Sequence, residues 1–433
     1  MSPDIVGIVC LGLMLLMIFM GVWVGTAMLV AGFVGFFYLE GFFRAFTILG
    51  TEAFSQIASY VFACVPLYIL MGIVVSQTGI AGELYNTANK WIGSVKGGLA
   101  IATTIACGAF AAICGSSDAS AAAMGKVAYP EMVKLKYDKR LASACIAAGG
   151  SIGIMIPPSL GFILYGLLTE QSIGKLYMAG FFPGILEAIF YSFTIYITCR
   201  IRPGYGPAAP RSNFRDKIYS LKGTWSMLAL FLFVIGGIYA GIFTPTEAGA
   251  LGAFGAIAIS ALSKKLTPSK FNQSVKDALQ ITAMICLLIT GAFVFMRLLA
   301  VSRLPAMLSD LVLGLQVPIW VIVLCIIIFY IIIGCFWDIF AAMILTLPLI
   351  FPVIEIAGLD PIWFGVIIVR CMEIGLITPP MGINLFFVRN VFNIKTGDIL
   401  RGALPFLITL VVFLFLVLLV PDIALWLPHM MAK

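Results

Sequence analysis

Long apolar runs separated by short polar stretches make up most of the chain, and the apolar residues surround each predicted helix instead of marking one face. A helix apolar on every side is either a membrane span or the centre of a large core. Runs such as Ile5 to Met20, 141–168, 224–243 and 245–262 lie close to the length that crosses a bilayer as a helix. At about 20 residues per span, the chain has room for roughly ten to fourteen hydrophobic segments. The first run lacks a basic start and a small-residue cleavage site, so it reads as a retained helix and not a signal peptide.

The pattern is interrupted in four places. From Gly97 to Ala111 the residues are apolar and small; Cys114-Gly-Ser-Ser-Asp118 then intervenes, and Ala119 to Ala128 resumes the run. Each half is short for a span, and Lys96 and Lys134 flank the pair, which predicts a re-entrant hairpin over about 97–133 with a polar tip in mid-membrane. A second hairpin is predicted over about 317–353, turning between Gly334 and Asp338. The other interruptions are double prolines, Pro157-Pro158 inside 141–168 and Pro379-Pro380 inside 361–388. Proline lacks an N–H and clashes with the carbonyl four residues earlier, so two in succession unwind a turn. In lipid such irregular backbone survives only where protein encloses it or water reaches it.

The interruptions recur at a fixed spacing. Gly21-Val-Trp-Val-Gly-Thr26 resembles Gly241-Ile-Phe-Thr-Pro-Thr246, an offset of 220. Gly115 to Met124 resembles Gly334 to Met343 at 219, and Gly153 to Ser159 resembles Gly375 to Met381 at 222. Two homologous halves follow, 1–222 and 223–433. Basic residues set their orientation. Arg200, Arg202, Arg211, Arg215, Lys217 and Lys222 face a single acid, Asp216, and mark a cytoplasmic loop; Lys264, Lys265, Lys270 and Lys276 lie two spans further on and on the same side. The first span then runs inward and its counterpart at 224–243 outward, with both termini outside. The expected fold is an all-α polytopic membrane protein, an inverted repeat with two re-entrant hairpins and two discontinuous helices, an architecture of many secondary transporters.

Composition agrees: 62% of residues are hydrophobic and 10% charged, too few charges for a water-soluble domain. The net charge of +7 sits in the loop clusters, with no basic stripe bearing interleaved aromatics, so no nucleic-acid partner is expected. The ten cysteines show no C-x-x-C spacing and read as small buried apolar residues. The only histidine, His429, is terminal, which excludes a histidine proton relay, and a membrane hydrolase would lack its base.

Carbonyls freed at the breaks, including those of Ile156 and Thr378, join the hydroxyls of Ser116, Ser117, Ser159 and Thr378 in an oxygen-only set that suits sodium and not zinc or copper. The predicted sodium region comprises Gly115, Ser116, Ile156, Pro157, Gly334, Asp338, Thr378 and Pro379. Half-helix N-termini favour a carboxylate or sulfonate, and the predicted substrate region comprises Ser116, Ser117, Asp118, Ser159, Arg370, Met381, Gly382 and Asn384. Blander readings stand beside these. The serines could be helix-packing residues, the prolines plain kinks, Asp118 a helix cap, and Arg370 the partner of Glu373 three residues on. Glu247, after Thr244-Pro-Thr246, is predicted to complete a capping box.

Gly115-Ser-Ser-Asp-Ala-Ser-Ala-Ala-Ala-Met-Gly125 with Pro130-Glu-Met132, Gly153 to Ser159, Gly241 to Ala248, Gly334 to Asp338 and Gly375 to Phe386 together resemble the large membrane subunit of the tripartite ATP-independent periplasmic transporters. Asp118, Ser120 and Arg370 depart from that family's usual pattern. The resemblance implies sodium-coupled uptake of a small organic anion by an elevator movement in the bacterial inner membrane. It also implies a small four-helix membrane subunit and a periplasmic substrate-binding protein as partners, with membrane lipid around the chain. The small subunit is not expected to be fused, because the chain starts in the first span of the repeat. The rival reading is a stand-alone sodium/dicarboxylate symporter of elevator type.

Overall fold

The computed structural model describes every residue except Leu315, Gln316, Pro380, Met381, Asn393, Ala432 and Lys433, and the side chains of Asp118, Val312 and Leu313. Among the described residues the chain forms helices and no strand. It opens with α1 (Pro3–Phe19), α2 (Val24–Glu40), the amphipathic α3 (Phe42–Ile57), α4 (Cys64–Gln77) and α5 (Ile80–Ile92). The first hairpin is α6 (Gly98–Cys114) and α7 (Ser117–Lys134), followed by the broken helix α8 (Lys139–Met155) and α9 (Leu160–Thr169). Next come α10 (Ile173–Ile201), α11 (Phe214–Tyr239), α12 (Pro245–Leu262), α13 (Pro268–Ser302) and α14 (Leu304–Gly314). The second hairpin is α15 (Ile319–Gly334) and α16 (Ile339–Ile356), and the second broken helix is α17 (Pro361–Leu376) and α18 (Ile383–Phe392). The chain closes with α19 (Thr396–Leu419) and α20 (Asp422–Met431).

Both hairpins and both broken helices thus form where Gly, Ser and Pro punctuate the apolar runs. Seven helices are long and apolar enough to cross a membrane among the described residues, or eight if a bent pair counts as one. That pair is a break absent from the sequence expectation: α4 and α5 meet at 68° across Thr78 and Gly79. Several boundaries also shift. Lys270 and Lys276, expected in a loop, lie in the first turns of the 35-residue α13, and Arg215, Lys217 and Lys222 lie on α11. The capping box forms as expected: the Thr244 amide donates to Glu247 Oε2 at 2.8 Å and the Glu247 amide to Thr244 Oγ1 at 3.2 Å.

Burial separates the helices into an inner and an outer set. The most apolar stretch of the α8–α9 element is 94% buried, against 39% for α11 and α12. The first element is therefore enclosed by protein, and the other two are exposed along most of their surface. α8 packs on α6, α7, α10, α17, α18 and α19; α13 packs on α2 and α4, and α12 on α4. Lipid offers no hydrophobic drive for helix pairing, so close packing of small residues does this work. A Cβ on Gly291 of α13 would lie 2.2 Å from the Gly25 carbonyl oxygen of α2, so the two backbones touch. Gly291→Val should push them apart and cost about 1–3 kcal/mol, seen as a lower thermal-unfolding midpoint in detergent; an unchanged midpoint would show that the pair is not closely packed.

Candidate functional site

The first hairpin turns because α6 ends on Gly115, whose φ of +65 suits a residue without a Cβ. Ser116 then caps α7, accepting from the Ala119 amide at 3.4 Å. A Cβ on Gly115 would also lie 2.7 Å from the Pro158 carbonyl oxygen, so the hairpin tip sits directly on the first double-proline break. At that break α8 stops at Met155, the Pro157–Pro158 bond is cis, and buried Ser159 caps α9 by accepting from the Phe162 amide at 3.3 Å. The second hairpin is arranged alike. Asp338 caps α16, accepting from the Ala341 amide at 2.9 Å, and a Cβ on Gly375 of α17 would lie 2.4 Å from the Gly334 carbonyl carbon.

Two adjoining cavities lie where these pieces meet. The inner one, about 80 Å³, is lined by Gly115, Ser116 and Ser117 of the first tip, Asp338 of the second, and Leu160 and Ile383 from the two broken helices. The N-terminal ends of α7, α9, α16 and α18 therefore surround one small space. The outer cavity, about 630 Å³, lies between the tips and a wall built by α4 and α13. Its size falls within the usual range for small-molecule sites. Among the described residues, neither cavity has a lysine or arginine in its lining.

Of the predicted residues, Gly115, Ser116, Ser117 and Asp338 line the cavities, and others adjoin them. Ser117 Oγ lies 3.5 Å from Asn384 Oδ1, and Asn384 Nδ2 donates to the Ala147 carbonyl at 3.4 Å, so fully buried Asn384 ties α18 to the first hairpin and to α8. Ile156 and Pro157 lie in the break beneath Gly115. Thr378 donates its hydroxyl to the Ile374 carbonyl at 2.5 Å, which turns it onto its own helix, and neighbouring Pro379 is exposed. Gly382 takes φ +50 ahead of α18. Pro380 and Met381 lie outside the described residues, as does the side chain of Asp118, whose backbone is in the first turn of α7. Among the described residues no three His, Cys, Asp or Glu side chains converge as a metal site, so any ion held here rests chiefly on hydroxyls and carbonyls.

Comparison with known proteins bears on the whole chain. Residues 11–423 match the family model described as "Tripartite ATP-independent periplasmic transporter, DctM component". The chain belongs to that family. It is 36% identical over 383 residues to the Pseudomonas aeruginosa C4-dicarboxylate TRAP transporter large permease protein DctM, covering 88% of this chain and 89% of that one. It is 35% identical over 374 residues to the Oleidesulfovibrio alaskensis isethionate TRAP transporter permease protein DctMQ, covering 86% of this chain and 58% of that longer one. A crystal structure of the Alcanivorax borkumensis YdaH transporter, described as having an unusual topology, superposes with a TM-score of 0.65 over 89% of each chain at 16% identity, which is a likeness of fold. The chain is thus a multi-pass membrane transport permease of the DctM family.

In this permease Arg370 is not at the cavities. It is 1% exposed on α17, with Nη1 2.5 Å from Glu187 Oε2 of α10 and 2.6 Å from Glu373 Oε2, and its guanidinium carbon lies 4.7 Å from the Phe413 ring centre. The physical reason for this placement is charge: a buried guanidinium needs carboxylates beside it, and two fully buried ones supply them here. Conversely, the outer cavity contains residues that the sequence reading passed over. Ser76 and Gln77 end α4, and Asp277 and Gln280 lie three apart on α13; Gln77 Nε2 donates to Asp277 Oδ2 at 3.3 Å. An acid nine residues into a membrane helix is the signal that could have found them.

Arg370→Met leaves two buried carboxylates without their cation, so the purified permease should lose about 3–5 kcal/mol of stability, and replacing Arg370, Glu187 and Glu373 together by apolar residues should restore most of it. Thermal melting of the single and triple variants checks this. A single variant of normal stability with lost uptake would return Arg370 to the substrate site.

Proposed function

We propose that this permease takes up a small organic anion bearing a carboxylate or sulfonate, driven by sodium, across the inner membrane of a bacterium. One observation carries the reading: four helix N-termini and an aspartate surround one small cavity that has no lysine or arginine in its lining among the described residues. Free N–H groups and positive dipole ends attract an anion without the desolvation cost of a buried basic side chain. The Asp338 carboxylate and the loop carbonyls supply what a sodium ion needs, so co-substrate and substrate neutralise each other in one place. Relatives named for a C4-dicarboxylate and for isethionate, a hydroxysulfonate, carry these acidic groups.

Transport proceeds by an elevator movement. The hairpins and broken helices, with α10 and α19 packed on them, move as one body past a wall of α2, α4, α12 and α13. The buried contacts at Gly115 and Gly375 support a single body, and the outer cavity between tips and wall is the boundary along which it slides. The two halves are related by inversion, which would make the outward and inward states near mirror images. Substrate comes from a periplasmic binding protein, and a small four-helix membrane subunit braces the wall.

The test is uptake by proteoliposomes containing the permease, its small subunit and its binding protein, with and without an inward sodium gradient. Uptake of a dicarboxylate or sulfonate should require sodium and the binding protein; equal uptake without sodium defeats the coupling, and full uptake by the bare chain favours a stand-alone symporter. Asp338→Asn keeps a good helix cap but removes the charge. It should raise the sodium concentration for half-maximal uptake at least about tenfold, and an unchanged sodium response would remove Asp338 from the cation site.

A further inference from the structure

The basic ends of α10 and α19 enclose a third cavity, about 260 Å³, with Arg202, Tyr205 and Arg401 among its polar lining and Ile201, Leu404 and Pro405 among its apolar lining. Two of these groups are guanidiniums, those of Arg202 and Arg401. Arg202 Nη1 donates to the Tyr205 hydroxyl at 2.8 Å, and its guanidinium carbon lies 5.2 Å from the centre of that ring. For Arg401 no acceptor appears among the described residues. The acid at this corner, Asp398, is taken by Arg140 at 3.0 Å. Arg202 and Arg401 form no ion pair among the described residues, and two such guanidinium groups beside a tyrosine suit an anion that carries several oxygens.

What leads away from this cavity shows what kind of anion it is. Along α10, Ile201, Ile197, Phe193 and Ile189 are all exposed at four-residue spacing, and along α19 so are Leu404, Ile408 and Val412. Four-residue steps stack on one face of a helix. The two helices pack together, joined by a 2.6 Å hydrogen bond between Thr194 and Thr409, so the apolar rows flank one shallow groove. From Ile201 to Ile189 the rise is about 18 Å, somewhat more than the roughly 15 Å of hydrocarbon in one leaflet. A free phosphate would use the arginines and none of this groove.

We propose that this corner is a binding site for an anionic phospholipid of the cytoplasmic leaflet, its phosphate held by Arg202 and Arg401 and one acyl chain lying between α10 and α19. The charge has the sign and the depth of such a headgroup, and the distribution of basic residues puts this end of the molecule at the cytoplasmic face. Because α10 and α19 pack on α8, the lipid is carried by the same group of helices that encloses the candidate site.

Native mass spectrometry of the full chain in detergent, titrated with phosphatidylglycerol or with phosphatidylcholine of the same acyl chains, tests the site. Phosphatidylglycerol should bind the wild type more tightly. Arg401→Gln should weaken it about fivefold and the Arg202→Gln, Arg401→Gln pair about twentyfold, with phosphatidylcholine unchanged. Arg401 is exposed and without a partner among the described residues, so its single substitution should leave the melting temperature unaltered and gives a reading even if the double variant folds poorly. Equal binding of the two lipids, or a preference that survives Arg401→Gln, overturns the proposal. Loss of the phosphatidylglycerol adduct to excess inorganic phosphate also overturns it, by making a free anion the ligand.

Discussion

Every backbone N–H and C=O inside a bilayer must find a partner, because hydrocarbon supplies none. The structure of this permease turns on where it suspends that rule. Its helices stop in mid-chain at Gly115, Ile156, Gly334 and Ile377, and these four residues are themselves buried against neighbouring elements. The breaks cannot be scattered, since each would then face lipid alone. They must share one enclosure, and that enclosure must contain what four helix starts attract. The cavity at the hairpin tips is thus a direct outcome of backbone hydrogen bonding.

The same constraint accounts for the division of labour among the other helices. α8 is buried along nearly its whole length because it borders a break and has to be surrounded, whereas α11 and α12 are unbroken and tolerate lipid. Close backbone contacts at glycines, between α2 and α13 and between α15 and α17, replace the hydrophobic drive that a soluble core would use. Charged residues follow suit. Arg370, Glu187 and Glu373 lie deep inside as a group, and among the described residues the cavities at the hairpin tips are lined by two aspartates, Asp338 and Asp277, and by no lysine or arginine.

Much of this was legible in the sequence, for a local reason. The hairpin tips and double prolines are written in consecutive residues whose backbone preferences are strong, so Gly115 to Asp118, Pro157-Pro158, Gly334 to Asp338 and the second proline pair announce their own breaks. The capping box at Thr244 is local in the same way. What escaped depends on distance along the chain. Glu187 lies 183 residues before Arg370, and the reading stopped at Glu373 because that acid is three residues away. The bend at Thr78 and Gly79 rests on one glycine in an apolar run, a weak signal alone. Asp277 and Gln280 were hidden because Lys276 looked like the end of a loop when it is already helical.

The two cavities at the tips share four side chains, since Ser116, Leu160, Asp338 and Phe340 line both. The roomy outer space is a vestibule and the small inner one a keyhole, with those four as the rim between them. A molecule can pass its acidic head through the rim while the remainder of its skeleton stays in the vestibule against α4 and α13. Under the proposed function, recognition of the acid and of the skeleton fall to different helices, so wall residues such as Gln77 or Gln280 can change without disturbing the keyhole.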